Sequence, residues 1–437
     1  MMSGKMYRFR LPDDHIDSRF VEAYLQTTPA WDEIDRMKTG GSDSGLNLTH
    51  DRFRTLSVPV APLNEQRRIV EAYEELVSDL DAGVAALERV REKLKLYRAS
   101  ILKAAVEGAL TAEWRAQHPN IEPASELLQR ILEERRCRWE EKQHAKFKTK
   151  GQEPPKNWKN KYTEPAAPDT TNLLPLPEGW CWTTVDQLAW SSGYGTSQKC
   201  SGTDTGLAVL RIPNIIGGKV DLKDLKYAPP RYSDDDDELV AIGDLLVVRT
   251  NGSRTLIGRG AVVHDTPVRP LAFASYLIRL RLIPAPVLLK WISILWESFH
   301  VRRWVEARAA TSAGQFNISL KVLSTIMVPL PPITEQEVIA ENIENQLSVI
   351  DHLESDLEAK MKSAQALRQS ILRHAFTGQL VPQDPNDELA SELLKRIAAE
   401  RAARARGSVA AKQETKVSNR PQTGRRGRPK KTAKGND

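Results

Sequence analysis

Arg249-Thr250-Asn251-Gly252-Ser253-Arg254 sets two guanidinium groups, a carboxamide and two hydroxyls around one glycine. Arginine and asparagine read guanine and adenine edges through paired hydrogen bonds, while hydroxyls and backbone amides hold phosphates. Upstream, Gly193-Tyr194-Gly195-Thr196-Ser197-Gln198-Lys199 is a polar loop with a central aromatic ring and a cation, and Arg211-Ile212-Pro213-Asn214 has the same character. Gln315 and Asn317 supply two more carboxamides further on. From Leu245 to Arg281 six arginines (Arg249, Arg254, Arg259, Arg269, Arg279, Arg281) stand against one acid, Asp265, a local net of +5. Each loop alone is also an ordinary strand-end turn. Three in one domain point to nucleic-acid contact, with Tyr194, Thr196, Ser197, Lys199, Arg211, Asn214, Arg249, Asn251, Ser253, Arg254, Gln315 and Asn317 as candidate contacts.

The far C-terminus offers a second nucleic-acid signal. Arg426-Gly427-Arg428-Pro429 with basic flanks matches an AT-hook core. Its glycine lets the backbone lie on the minor-groove floor, and its arginines follow the negative potential of A·T-rich DNA. Catalytic signatures are missing. The chain has no GxxxxGK[ST] phosphate loop, GxGxxG turn, HExxH or GxSxG, and no Asn-Pro-Pro-aromatic tetrapeptide. Asp13-Asp14-His15 reads as a solvated turn rather than a metal site. The run Asp234–Glu238 reads as a solvated loop or helix start, since five adjacent acids cannot all face one ion. The chain by itself is expected to be no enzyme.

These loops need a frame, and the frame is a repeat. Shifting the sequence by 270 residues pairs Asn47 with Asn317, Pro59 with Pro329, Glu65-Gln66 with Glu335-Gln336, Ser100-Ile101-Leu102 with Ser370-Ile371-Leu372, and Gly108 with Gly378. In the first copy Ile69, Tyr73, Leu76, Leu80, Gly83, Leu87, Val90, Leu94, Tyr97 and Ile101 alternate spacings of four and three, a heptad seam. The second copy gives Ile339, Ile343, Gln346, Ile350, Leu353, Leu357, Lys360, Ala364, Leu367 and Ile371, broken only by Gln346 and Lys360. Each helix is expected to be roughly 65 Å long at 1.5 Å per residue. Asn64 and Thr334 are the expected N-caps, and Gly108 and Gly378 the C-caps. Two matched helices in one chain are expected to pack on each other.

Around them, residues 1–60 resemble the last third of a domain whose complete copy follows later, without roughly a hundred residues at its front. Tyr7–Leu11 and Thr55–Val58 read as strands, like Tyr276–Arg281 and Thr325–Val328. Arg19–Lys38 reads as a helix, like Leu288–Ala307. Residues 61–147 hold the first long helix and a second one opening at Ala124. Residues 148–175 read as a polar, proline-rich linker, and 176–332 as one complete, mostly antiparallel α+β domain. Residues 333–406 repeat the long helix and its follower, and 407–437 read as a disordered basic tail. That tail dominates the charge. Residues 401–437 carry twelve Arg/Lys against Glu414 and Asp437, a net of +10, so under a total of +6 the remainder sums to −4. No run reaches the ~18 apolar residues of a spanning helix. Three unpaired cysteines fit a cytoplasmic chain without disulfides.

Taken together, these residues resemble the specificity subunits of type I restriction-modification systems. The resemblance is carried by Leu176-Pro177-Glu178-Gly179-Trp180-Cys181-Trp182, Arg211–Asn214, Gly243–Arg249, Gly314-Gln315-Phe316-Asn317-Ile318 and Val328–Gln336. Ser370–Gly378 and its first copy Ser100–Gly108 extend it, over residues 1 to about 400. The resemblance implies an α+β chain with one complete and one partial target-recognition domain, joined by two long antiparallel coiled-coil helices. It implies a non-catalytic subunit reading double-stranded DNA, each recognition domain taking one half of a bipartite site. Modification (methyltransferase) subunits would bring S-adenosylmethionine for adenine methylation, and restriction (translocase/endonuclease) subunits would bring ATP and Mg²⁺ for cleavage. The first domain departs from the pattern, having no counterpart of Gly193–Lys199, Arg211–Asn214 or Arg249–Arg254, so one half-site is expected to be read by this chain. The AT-hook-like tail stands outside the family pattern.

Overall fold

The computed structural model describes residues 6–12, 14–39, 47–171, 173–229, 239–312 and 314–418. Asp13, the acid run 234–238 and Arg426, Gly427, Arg428 and Pro429 lie outside the described residues. The chain divides into two compact units, Met1–Arg89 with Leu357–Asp437, and Val90–Asp356. No helix among the described residues is long and apolar enough to cross a membrane.

In chain order, α1 (Ser18–Leu25), α2 (Thr28–Met37) and α3 (His50–Phe53) precede the long α4 (Leu63–Val106). Helices α5 (Ala112–Gln117) and α6 (Ala124–Thr149) follow, then β1 (Cys181–Thr184), α7 (Val185–Leu188), β2 (Ala189–Tyr194) and β3 (Ala208–Leu210). Next come β4 (Ile215–Ile216), β5 (Lys219–Val220), β6 (Lys226–Tyr227), β7 (Asp244–Val248), β8 (Thr250–Asn251), β9 (Gly260–Val262), β10 (Leu271–Phe273) and β11 (Leu277–Leu282). Helices α8 (Pro286–Glu297) and α9 (Phe299–Arg308) lead to β12 (Ala310–Ser312), β13 (Gln315–Asn317), α10 (Leu320–Ser324) and β14 (Met327–Leu330). The second long helix α11 (Ile333–Phe376) and then α12 (Ala390–Ser418) follow.

Both long helices start earlier than their sequence suggests. The amide of Gln66 donates to the Pro62 carbonyl (2.8 Å) and that of Gln336 to Pro332 (2.9 Å). Pro62 and Pro332 therefore hold the capping positions expected of Asn64 and Thr334. The carboxamides of Gln66 and Gln336 also donate back to Ala61 and Pro331, at 2.7 and 2.8 Å. At the other end Gly108 and Gly378 take φ of 70° and 71°, the left-handed conformation that stops a helix.

The packed seam is one residue out of the expected frame in alternate positions. Leu76, Val90 and Tyr97 are exposed, as are Leu353 and Leu367. Their neighbours Val77, Val84, Arg91 and Arg98 on α4, and Leu347, Glu354, Met361 and Arg368 on α11, are at least half-buried. The apparent breaks at Gln346 and Lys360 vanish in this frame, since Leu347 and Met361 fill those places. The seam accepts arginine instead. In one unit Arg98 pairs with Asp351 and with Glu354 (3.2 Å). In the other Arg368 pairs with Asp81. The repeat shift carries Arg98 to Arg368 and Asp81 to Asp351, so the two ion pairs are copies of one device. In both units the helices run antiparallel: Tyr73 and Leu372 share a cluster, and Thr111, just past α4, bonds Glu335 near the start of α11.

The unit Val90–Asp356 holds the sheets. Its main sheet has the order β2-β11-β7-β9, all antiparallel, and a second runs β10-β3-β6 with one parallel pair, β10 with β3. Helix α8 lays Leu288, Trp291, Ile292 and Leu295 into a core with Leu245, Val247, Ile278 and Leu280. The expected helix Leu288–Ala307 is two helices, because Ser298 leaves helical geometry at ψ 156° between α8 and α9. Arg19–Lys38 likewise splits at Gln26–Thr27, where the Thr27 side chain caps the second helix. Tyr7–Leu11 and Thr55–Val58 form no strand. The linker is tied to the domain at a few points. A short 3₁₀ helix spans Trp158–Lys161, and Ala166 exchanges hydrogen bonds with Asp186 and Thr184. Helix α12 runs to Ser418, past the residue 407 at which disorder is expected.

Candidate nucleic-acid interface

One edge of the main sheet collects the candidate residues, and strand direction explains why. Strands β2 and β7 both run antiparallel to β11, so their C-terminal ends meet its start. Tyr194 pairs with Ile278, and Val248 with Leu277. Arg249, the next residue, donates its amide to the Tyr276 carbonyl (2.9 Å). Its own carbonyl accepts from Ile318 (2.9 Å), and β8 pairs with β13, Asn317 opposite Thr250. The β12–β13 hairpin is thereby stitched onto the same edge. Gln315 and Asn317 are both exposed there.

The loop after β2 is fixed to this edge too. Thr196 donates its amide to Phe273 and accepts from Ser275, both at 2.8 Å. Gly195 lies so close to the segment before β11 that an added Cβ would sit 2.0 Å from the Phe273 carbonyl oxygen. Glycine is required by that approach. Ser197 and Lys199 project from the loop into solvent. The Arg249 guanidinium lies over the Tyr194 ring, 4.4 Å from its centroid. Such stacking orients a guanidinium without consuming its charge. The Tyr194 hydroxyl is held from the far side by the Leu320 amide (3.3 Å), and Tyr194 stays 48% exposed.

Asn251, Ser253 and Arg254 form the turn beyond β8. The Asn251 carboxamide oxygen accepts from the Ser253 amide at 2.8 Å, which shapes the turn. Arg254 donates to the Glu306 carbonyl at the end of α9 (2.9 Å), and Arg302 clamps the turn through the carbonyls of Arg254, Thr255 and Ile257. The Arg254 guanidinium is therefore anchored on α9, although the side chain is exposed.

Two expectations need correction. Asn214 is 1% exposed, and its amide donates to the carbonyls of Asp221 (2.9 Å) and Lys223 (2.8 Å). It is an internal loop clamp with no face left for a base. Arg211 is paired with Asp224 (3.0 Å) and donates to the same residue's carbonyl. The six-arginine cluster also shrinks. Arg281 is buried on Asp244 (2.6 Å), with Arg279 beside it (4.0 Å), and Arg269 pairs with Asp204 (2.8 Å). Asp244 lies one residue before the stretch in which only Asp265 was counted, which is why the net charge misled.

Tyr276 is the residue the sequence did not single out. It is 55% exposed and touches Arg249 through its backbone. The available signal is its position immediately before the strand Leu277–Leu282, at the end where β2 and β7 finish. Arg302 is a second, recognisable only from the fold, because its clamp acts across 45 to 48 residues.

No family model matches the chain. The EcoKI specificity subunit of Escherichia coli K12 is 27% identical over 400 residues, spanning 90% of this chain and 74% of that protein. The StySPI specificity subunit of Salmonella potsdam is 24% identical over 405 residues, with 90% and 73% covered. A chain solved in work on the assembly and conformational transition of a type I R-M system is 16% identical at a TM-score of 0.49, covering 85% of this chain and 73% of that one. With further relatives of the same description from Escherichia coli, the chain is similar over most of its length to type I restriction enzyme specificity subunits.

Proposed function

We propose that the chain is the DNA-reading, non-catalytic subunit of a type I restriction-modification complex in the cytoplasm. Its recognition domain, residues 176–332, takes one half of a bipartite duplex site with the sheet edge that carries Tyr194, Arg249, Tyr276, Gln315 and Asn317. The observation that carries this reading is the joining of four separate chain segments at that edge, each presenting an aromatic ring, a guanidinium or a carboxamide. Thr196, Ser197, Lys199, Asn251 and Ser253 supply the hydroxyl, amide and ammonium groups that suit phosphates. Arg249 is the proposed base reader, oriented by Tyr194; Arg254 serves the backbone and the turn.

Methylation and cleavage belong to partners in this proposal. Modification subunits would bind S-adenosylmethionine, and restriction subunits ATP and Mg²⁺. The long helices are the proposed spacer between recognition elements, comparable in logic to other paired DNA readers whose frame sets half-site spacing. The AT-hook-like Arg426–Pro429 adds A·T-preferring minor-groove contact that helps to hold DNA without choosing the target. The test is Arg249→Ala in the complex with its modification subunit, after the methylated adenines have been mapped. Discrimination between target and random duplex should fall by about 1–3 kcal/mol, with random binding nearly unchanged. Equal losses on both duplexes would remove Arg249 from base reading.

A further inference from the structure

The densest run of positive charge in the described part of the chain holds none of the candidate residues. Residues 135–161 carry ten Lys/Arg against Glu140, Glu141 and Glu153, a net of +7. Outside this stretch and the basic tail, the rest of the chain sums to −11. The stretch comprises the second half of α6 and the segment that returns along it.

The return is stapled by aromatic rings. Trp139 stacks on Trp158 (5.8 Å between centroids, 19°) and meets Tyr162 edge-on at 5.3 Å, and Phe147 meets Trp158 at 6.1 Å. Arg135 ties the base of the hairpin to the domain through the Ala189 carbonyl (2.8 Å) and the Tyr162 hydroxyl (2.7 Å). Arg136, Arg138 and Lys159 are occupied by Glu140 and Glu134. Lys146, Lys148, Lys150, Lys156 and Lys161 are all exposed and have no acidic partner among the described residues. Lys146 on α6 and Lys150, the residue that caps the helix end, lie one turn apart, about 6 Å along its axis.

Three features select the partner. The lysines are not neutralised locally, unlike the arginines beside them. The staple holds their backbone fixed, which lowers the ordering cost of a multivalent contact. Among the described residues of the hairpin itself no large apolar side chain is exposed, so the hairpin offers a protein no hydrophobic anchor of its own. We propose that this hairpin grips the phosphate backbone of duplex DNA outside the bases that are read, adding affinity without sequence preference. The inference rests on the reading of the chain as a duplex-DNA binder.

The experiment uses the full chain and a duplex of random sequence, with Kd measured between about 50 and 200 mM salt. A variant carrying Lys→Gln at 146, 148, 150, 156 and 161 is compared with wild type and with the matching Lys→Arg variant. Each lost phosphate contact lowers the slope of log Kobs against log salt by about 0.9. The Gln variant should lose two to four units of slope and at least tenfold in affinity at the lower salt, and the Arg variant should retain both. The tail contributes equally to all three chains. A Gln variant with unchanged slope overturns the proposal. So does one that keeps its slope but no longer co-purifies with the modification subunit, which would assign the lysines to protein contact. A wild-type chain that binds no duplex overturns both this inference and the function on which it rests; wild-type binding with an unaltered Gln variant overturns the inference alone.

Discussion

Residues 7–60 and 277–330 are two readings of one pattern, offset by 270 positions, and they fold alike only in part. Helices α1, α2 and α3 occupy the places of α8, α9 and α10. Even the bridge between Thr39 and Asn47 echoes the pairing of Ala310 with Asn317. The strands do not follow. Leu277–Leu282 is the centre of a sheet, whereas Tyr7–Leu11, with a similar pattern, pairs with nothing among the described residues. Helices close their hydrogen bonds within themselves, while a strand exists only beside another. β11 has β2 and β7, and β14 has β1; the first copy has no counterpart of those neighbours among its described residues.

That contrast gives the largest expected effect. In native-state hydrogen exchange, amides of Leu277–Leu282 should open only with global unfolding, while those of Tyr7–Leu11 exchange nearly as in an unfolded chain. The gap should be on the order of 5 kcal/mol or more. Protection at Tyr7–Leu11 would mean that the first copy finds a strand partner after all.

Glu335 and Glu65 sharpen the comparison on the helices. Glu335 is fully buried and accepts from Thr111 (2.6 Å), Arg115 (2.7 Å) and Trp180 (2.8 Å). Glu65, its repeat mate, has no side-chain hydrogen bond among the described residues. Glu335→Ala leaves Arg115 without its buried partner and should cost about 3–5 kcal/mol. Glu65→Ala should change stability by about 1 kcal/mol or less. Nine of the ten tryptophans lie within Val90–Asp356, so fluorescence reports the first variant, and circular dichroism suits the second. Equal costs would mean that the glutamate serves both copies in the same way.

The sequence displayed the repeat, the long helices, their glycine stops and strands such as Tyr276–Arg281 and Thr325–Val328 of the complete domain, because each leaves a periodic or local mark. It misplaced what depends on distant residues. Only the facing helix distinguishes Leu76 from Val77, or Lys360 from Met361, as the buried member of a pair. Asn214 looked like a base reader because its burial is set by residues up to nine positions away. Arg279 and Arg281 looked like surface cations because strand pairing, not composition, brings Asp244 beside them. At the candidate interface, the loops were visible as polar turns. Their meeting at one edge followed from strand direction, which no single loop encodes.

The smallest effect tests whether the two seam ion pairs are true copies. Arg98 and Arg368 are 27% and 32% exposed in their side chains, and Asp351 and Asp81 are 58% and 54% exposed. Pairs this accessible are worth about 0.5–1 kcal/mol and weaken as salt shortens the Debye length. Arg98→Ala and Arg368→Ala should therefore cost similar small amounts in urea unfolding, with the cost fading toward about 1 M salt. Charge reversal should separate them. Arg98 also meets Glu354 at 3.2 Å, whereas the position equivalent to Glu354 beside Asp81 is Val84. Arg98→Asp places a carboxylate against two acids and Arg368→Asp against one, so the former should be the more destabilising. Adding Asp351→Arg should restore most of the loss at Arg98→Asp, as Asp81→Arg should at Arg368→Asp. If reversal costs the same at both sites, Glu354 takes no part, and the pairs are equivalent in energy as well as in position.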